Sequence, residues 1–168
     1  MEVSLKQIQH AEIATISGIE LSAREEDFAG GSMTAIAGRL KARPNSEDCF
    51  PFLIMADCKI AGFLMLRKGQ ALPDWAAPDA VSLHNFRISG NMQGRGCGTT
   101  AVARAARWIA THWPQASKLM LSVNVDNFAA REFYLRCGFQ ETTESHNGRL
   151  GVEHIMSCRV SDLMRKSL

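Results

Sequence analysis

The sequence predicts a mixed α/β domain, and three observations carry that expectation. The chain has 168 residues, 46% of them hydrophobic, which is enough to bury one substantial core. Segments of strand-like alternation are interleaved with segments of helical spacing, about seven of the first kind and about four of the second. No repeat, linker or low-complexity tract interrupts them, so a single domain is expected over residues 1–168.

Val3, Leu5 and Gln7 open a short strand, and Ile13, Ile16 and Ile19 then predict a helix over residues 11–21. An acidic run, Glu25-Glu26-Asp27, falls in the connection that follows. Gly30-Gly31 breaks the chain, Ser32 suits an N-cap, and Met33, Ile36, Ala37 and Leu40 share a helical face that ends at Pro44-Asn45. Residues 52–55 and 60–66 read as an antiparallel hairpin, joined tightly around Asp57-Cys58-Lys59. By composition residues 68–79 are loop, and Trp75 lies within it. A β pattern resumes over residues 80–88, where the alternation slips by one residue between Leu83 and Phe86, as a β-bulge requires. Residues 99–113 are helical up to Pro114, residues 119–125 form a strand, and residues 127–136 form a short helix stopped by Gly138. A last hairpin pairs residues 139–143 with 152–160 about an Asn147-Gly148 turn.

Nineteen Lys and Arg against 17 Asp and Glu leave a net charge of +2, too weak a field to mark nucleic acid or a membrane surface as partner. No window approaches the roughly 20 apolar residues of a membrane helix, and the first residues lack the regions of a secretory signal, so a cytoplasmic protein is expected. The five cysteines, Cys49, Cys58, Cys97, Cys137 and Cys158, show neither a disulfide framework nor paired C-x-x-C spacing. They read as reduced thiols, and no metal is expected. The substrate is expected to be a small molecule or a short peptide end.

Gln93-Gly94-Arg95-Gly96-Cys97-Gly98-Thr99 joins a predicted strand to a predicted helix, so its glycines can turn backbone N–H groups inward at a helix N-terminus. That suits phosphate. A Walker loop is excluded because no Lys precedes Ser or Thr, and a dinucleotide loop because the spacing is G-x-G-x-G. By itself the run fits a phosphate cradle and a plain glycine turn equally well.

A second motif follows one strand and one helix later: Asn127, Ala130, Tyr134, Gly138 and Phe139 in the pattern N-x-x-A-x-x-x-Y-x-x-x-G-F. With Gln93, Gly96 and Gly98 as Q-x-x-G-x-G, the chain resembles the GNAT superfamily of N-acyltransferases from about residue 81 to residue 139. The resemblance implies a mixed, splayed, mostly antiparallel sheet of about seven strands flanked by about four helices. It also implies that the chain transfers an acetyl group from acetyl-CoA, needs no metal, and holds coenzyme A where the sheet opens. The backbone of Phe86, Arg87 and Ile88 would pair with the pantetheine arm, and Gln93, Gly94, Arg95, Gly96, Cys97, Gly98 and Thr99 would surround the pyrophosphate, with Asn127, Ala130 and Tyr134 completing the cofactor set.

In such enzymes an amine attacks the thioester directly and coenzyme A leaves as a thiolate that takes a proton. Tyr134, the single tyrosine of the chain, is the expected donor, since a phenol with an ordinary pKa near 10 stays protonated at neutral pH; the alternative is a core tyrosine. His84 stands on the strand before the glycine loop, where the similar arylalkylamine N-acetyltransferases carry a catalytic histidine. It is a candidate base, although a half-buried strand histidine is more often structural; other members of the family place a glutamate nearby, where this sequence has Ser82 and Ser122, so a water chain ending at strand carbonyls is the other route for the proton. Glu20, Glu25, Glu26 and Asp27 lie where relatives build the acceptor pocket and would attract a cationic amine, while Trp75 lines that pocket or is buried elsewhere. A polyamine-like or arylalkylamine-like acceptor is expected, and an aminoglycoside, an amino acid, a peptide N-terminus, an acyl chain longer than acetyl, a non-catalytic acyl-CoA sensor and a homodimer stay open.

Overall fold

The computed structural model describes residues 1–165 and contains one seven-stranded sheet. The chain forms two compact units, residues 1–71 with 83–101, and residues 72–82 with those from 102 onward.

In the first unit, β1 (Val3–Gln7), β2 (Cys49–Ala56) and β3 (Lys59–Arg67) run antiparallel. Asp57 and Cys58 both take left-handed backbone angles, the twist a two-residue hairpin turn needs. Ser32 caps α2 (Met33–Lys41) by accepting from the Ala35 amide at 3.1 Å, and Ile36 and Leu40 then lie in one core cluster with Ile13, Leu53, Phe63 and Met65. The helix expected over residues 11–21 is a 3-10 turn, His10–Thr15, followed by extended chain. Isoleucines three apart suit a 3-10 turn as well as a helix, and Ile16 and Ile19 still pack on that cluster. The acidic run is not a connection but lies in α1 (Ala23–Phe28): Ser22 and Glu25 form a capping box, each side chain bonded to the other's amide.

β4 (Val81–Ile88) belongs to both units. In the second unit, its Val81 and Ser82 pair in parallel with Leu119 and Met120 of β5 (Lys118–Asn124). β5 pairs antiparallel along its length with β7 (Gly151–Arg159), whose other neighbour is β6 (Gln140–Gly148). The strand order is β1-β2-β3-β4-β5-β7-β6. Asn147 and Gly148 remain paired with Val152 and Gly151, so the final hairpin turns at Arg149-Leu150 instead of Asn147-Gly148. α3 (Cys97–His112) and α4 (Phe128–Cys137) replace the two expected later helices with shifts of a residue or two, and a short α5 (Val160–Arg165) adds a fifth.

Candidate active site

The glycine loop is shaped from both ends. At its start the Gln93 side-chain amide donates to the Ile88 carbonyl at 2.9 Å and to Glu25 Oε1 at 3.0 Å, which ties the loop to the last residue of β4 and to α1. At its end Gly96 O receives both the Thr100 amide and the Thr100 hydroxyl at 3.0 Å, which starts α3. Gly94 and Gly96 have φ of +73° and +79°, and a Cβ built on either would meet no atom within 4 Å. Their requirement is therefore conformational, and the space in front of this backbone is open. The first N–H groups of a helix have no partner inside it, so Cys97, Gly98 and Thr99 head a 16-residue helix with its positive end at the loop. Cys97 itself is buried, with its thiol pKa raised by desolvation, and serves as packing. Arg95 lines an open cavity of about 380 Å³ with Lys59, Met92 and Met1.

β4 is set by unusual local contacts. The slip expected between Leu83 and Phe86 falls at Asn85, whose φ is +54°. Arg87 is buried and donates to the Ala29 and Gly31 carbonyls at 2.7 and 2.9 Å, so the side chain fixes the end of α1 while its backbone belongs to the strand. Opposite, Gly62 of β3 leaves room for the Arg87 carbonyl, which a Cβ would approach within 2.1 Å. Ser89 follows Ile88 and accepts from the Glu20 amide at 3.0 Å, while Gly90 donates to Glu20 O at 2.8 Å.

The acidic residues are thus drawn toward the end of β4. Glu20 contributes its backbone, Glu25 bonds Gln93 and caps α1, and Glu26 acts on the Arg87 charge. The Gln93 bond, then Ser22, holds the Glu25 carboxyl below its usual range. Asp27 is on the exposed part of α1. His84, half-buried on β4, is surrounded by charge of the opposite kind. Desolvation, then Arg67 and Arg43, holds its imidazole well below the usual pKa, so it is neutral at pH 7. Arg39, Arg43, Arg67 and Asn85 line a cavity of about 50 Å³, a cluster with no local sign in the sequence. Arg39 and Arg43 read as the polar positions of an amphipathic helix, and Arg67 as the end of a strand.

In the second unit, Tyr134 lies in α4, whose two ends account for the rest of its motif. Asn127 caps the helix by accepting from the Ala130 amide at 3.3 Å. Gly138, at φ +104°, donates to Leu135 O at 3.0 Å, and Phe139 donates to Tyr134 O at 3.0 Å, a Schellman stop. Tyr134 is 8% exposed, its ring edge-on to Phe133 and Phe139 at centroid distances of 5.1 and 5.6 Å. Desolvation, then Cys137, raises its phenol pKa well above the ordinary value, so it carries its proton at every working pH. Trp75 packs in this unit against the cluster of Ala80, Met120 and Ile155. Among the described residues no group of His, Cys, Asp and Glu is placed to hold a metal ion, and no helix is long and apolar enough to cross a membrane.

The glycine loop at a helix N-terminus and, in the other unit, the capped tyrosine helix carry the two motifs by which the chain resembles acyl-group transferases. A family model described as the acetyltransferase (GNAT) family matches residues 17–139, and the chain belongs to that family. It is 24% identical over 112 residues to an uncharacterised N-acetyltransferase, YbbJ, of Bacillus subtilis (strain 168), covering 66% of this chain and 70% of that protein. Among solved structures, the aminoglycoside acetyltransferase AAC(6')-Ib in complex with paromomycin and acetyl-CoA superposes with a TM-score of 0.77 at 16% identity, over 100% of this chain and 99% of that one. A chimera of the spermidine N-acetyltransferase SpeG from Vibrio cholerae gives 0.68 at 19% identity, over 98% and 99%. The fold is therefore that of GNAT acetyltransferases.

Proposed function

We propose that the chain is an N-acetyltransferase that moves an acetyl group from acetyl-CoA to the primary amine of a small molecule, with residues 1–168 acting as one transferase domain. The observation that carries this is the glycine loop: two left-handed glycines with open space before them, anchored by Gln93, at the positive end of a long helix. Such a backbone fits a pyrophosphate, because the space in front of it is open and the first amides of the helix have no partner inside it. Acetyl-CoA supplies an activated thioester there. Amides from Gly94 to Thr99 hold the phosphates, and the backbone of Phe86 to Ile88, kept in place by Gly62 and the Arg87 bonds, carries the pantetheine amides. Neutral His84 takes a proton from the incoming ammonium or its water, and the Tyr134 hydroxyl gives one to the departing sulfur. The named substrates of the structural neighbours, aminoglycosides and spermidine, are small amines and support an acceptor of that size.

Melting the protein with and without acetyl-CoA tests the reading. At about 100 times its Kd a ligand of the native state adds about 2.7 kcal/mol, which for a chain of this length is a rise of roughly 5–10 °C. Gly96→Val places a β-branched residue at φ +79° and should remove most of that rise. A flat melt for the wild-type chain, with no heat of binding by calorimetry, would reject the cofactor and with it the transfer.

A further inference from the structure

Three arginines converge in the first unit where a cationic acceptor would be least welcome. Arg39 on α2, Arg43 two residues past the end of that helix, and Arg67, the last residue of β3, line the 50 Å³ cavity with Asn85 and the apolar Ile36, Leu40 and Met65. Two of these guanidinium groups are anchored on the backbone: Arg39 Nη2 donates to Gly30 O, and Arg43 Nη2 to Ala71 O at 3.4 Å. Arg67 Nε is buried without any hydrogen-bond partner. The charges acting on Arg67 are Arg43 and Arg39, both of its own sign, with the Cys49 thiol as the one opposing group. Burial, then Arg43, pushes its pKa down to about 10. Glu47 and Asp48 act on Cys49, and Asp48 Oδ2 accepts from the Gln70 amide at 2.9 Å.

A buried N–H aimed at no acceptor costs about 1–3 kcal/mol, more for a charged group, and like charges add to that cost. A native structure keeps such an arrangement where a ligand completes it. Guanidinium forks match planar carboxylates in a bidentate fashion. By a measure in which about 10–15 Å³ admits one water, 50 Å³ takes roughly three to five heavy atoms, a carboxylate and little beyond it. His84, the candidate base, is close enough to feel Arg67 and Arg43, so a molecule held by this cavity through its acid group lies near the residue that would free its amine.

We propose that the arginine cavity receives the carboxylate of the acceptor, so that the amine acetylated belongs to an amino-acid-like molecule. The inference rests on the acetyltransferase reading for its chemistry, and on the cavity alone for the anion. The test pairs α-amino acids with their decarboxylated amines, over several side-chain sizes, in a thiol-release assay with acetyl-CoA. The acid-bearing member of at least one pair should exceed its partner in kcat/KM by ~100-fold, and Arg67→Met should cut that ratio by ~10- to 100-fold, the worth of a charge-assisted bond. Arg43→Gln is the second variant should Arg67→Met not fold, and it should cut the ratio in the same way. In parallel, N-acetylated amino acids should raise the melting temperature of the wild-type chain, and Arg67→Met or Arg43→Gln should remove the rise. Decarboxylated amines that react as well as the acids overturn the proposal and leave acetyl transfer standing. No thiol release from any amine, with the arginine-dependent melting shift intact, upholds the carboxylate site and overturns the transfer. No melting shift from any N-acetylated amino acid overturns the carboxylate site whatever the assay shows.

Discussion

Replacing Tyr134 by Phe separates a proton donor from a packing residue. The ring is 8% exposed and sits edge-on to Phe133 and Phe139, so phenylalanine keeps the packing that buries it. The Schellman bonds to Gly138 and Phe139 use the Tyr134 carbonyl, which the substitution leaves untouched. Stability should therefore change by at most about 1 kcal/mol, roughly 2–4 °C of melting temperature in a chain this long. Turnover should respond on another scale. A general acid contributes about 100- to 10,000-fold, or about 3–5.5 kcal/mol of barrier, and the raised phenol pKa means the proton is present throughout the assay range. Single-turnover thiol release, followed where acetyl transfer is slower than product release, reads the chemical step directly. The expected result is a rate lower by at least 100-fold, with the acetyl-CoA dissociation constant within about threefold of wild type. Wild-type turnover in a folded Tyr134→Phe protein would refute the donor role and move the proton source to water.

Two further outcomes follow from β3 and β4. Gly62→Ala would bring a Cβ within 2.1 Å of the Arg87 carbonyl, a backbone atom that cannot swing away, so unfolding in denaturant should show a loss of about 1–3 kcal/mol together with weaker acetyl-CoA binding; wild-type stability would show that β4 yields freely. His84 has a folded pKa held below its unfolded value, so its contribution is fully present above about pH 6.5 and is lost as pH falls from there toward the folded pKa, because only the unfolded chain takes up the proton in that window. Unfolding free energies measured from pH 7 down to 5 should decline by up to about 1.4 kcal/mol per pH unit from this group. His84→Gln should flatten that decline, and an unchanged slope would place the dependence on other groups.

What the sequence made legible was mostly the residues that begin, end or bend elements. Ser32 before α2, Asn127 before α4 and Gly138 after it act within a few residues of their own position, and each does in the structure what its neighbours in sequence imply. The slipped alternation of β4 brackets Asn85, whose backbone is left-handed, and Gly94 and Gly96 were visible as glycines at a strand-to-helix turn. The family signature is largely made of such residues: Asn127, Ala130, Gly138 and Phe139 build the two ends of α4, and this leaves Tyr134 as the member whose side chain no local rule explains. Where spacing admitted two periods, as with Ile13, Ile16 and Ile19, the longer helix was the wrong choice, and the Ser22 to Glu25 box that starts α1 went unread beside it.

Charge was the property the sequence conveyed least well, because its effect depends on which groups meet across long separations. Glu25 and Glu26 look in sequence like an exposed acidic patch, yet they work on Gln93 and Arg87, more than sixty residues away in each case. Arg39, Arg43 and Arg67 look like three separate solvated cations, yet they share one cavity, where burial and the other two charges lower the pKa of Arg67. An acidic run and a scattered basic set thus exchange the roles that composition assigns them, the first bracing the glycine loop and the second surrounding an anion-sized space. The net charge of +2 is silent on both, since a sum over the chain cannot register that the two signs are sorted into different places. The charge a cavity presents has therefore to be read from the groups that line it and not from the charge of the segment that supplies them.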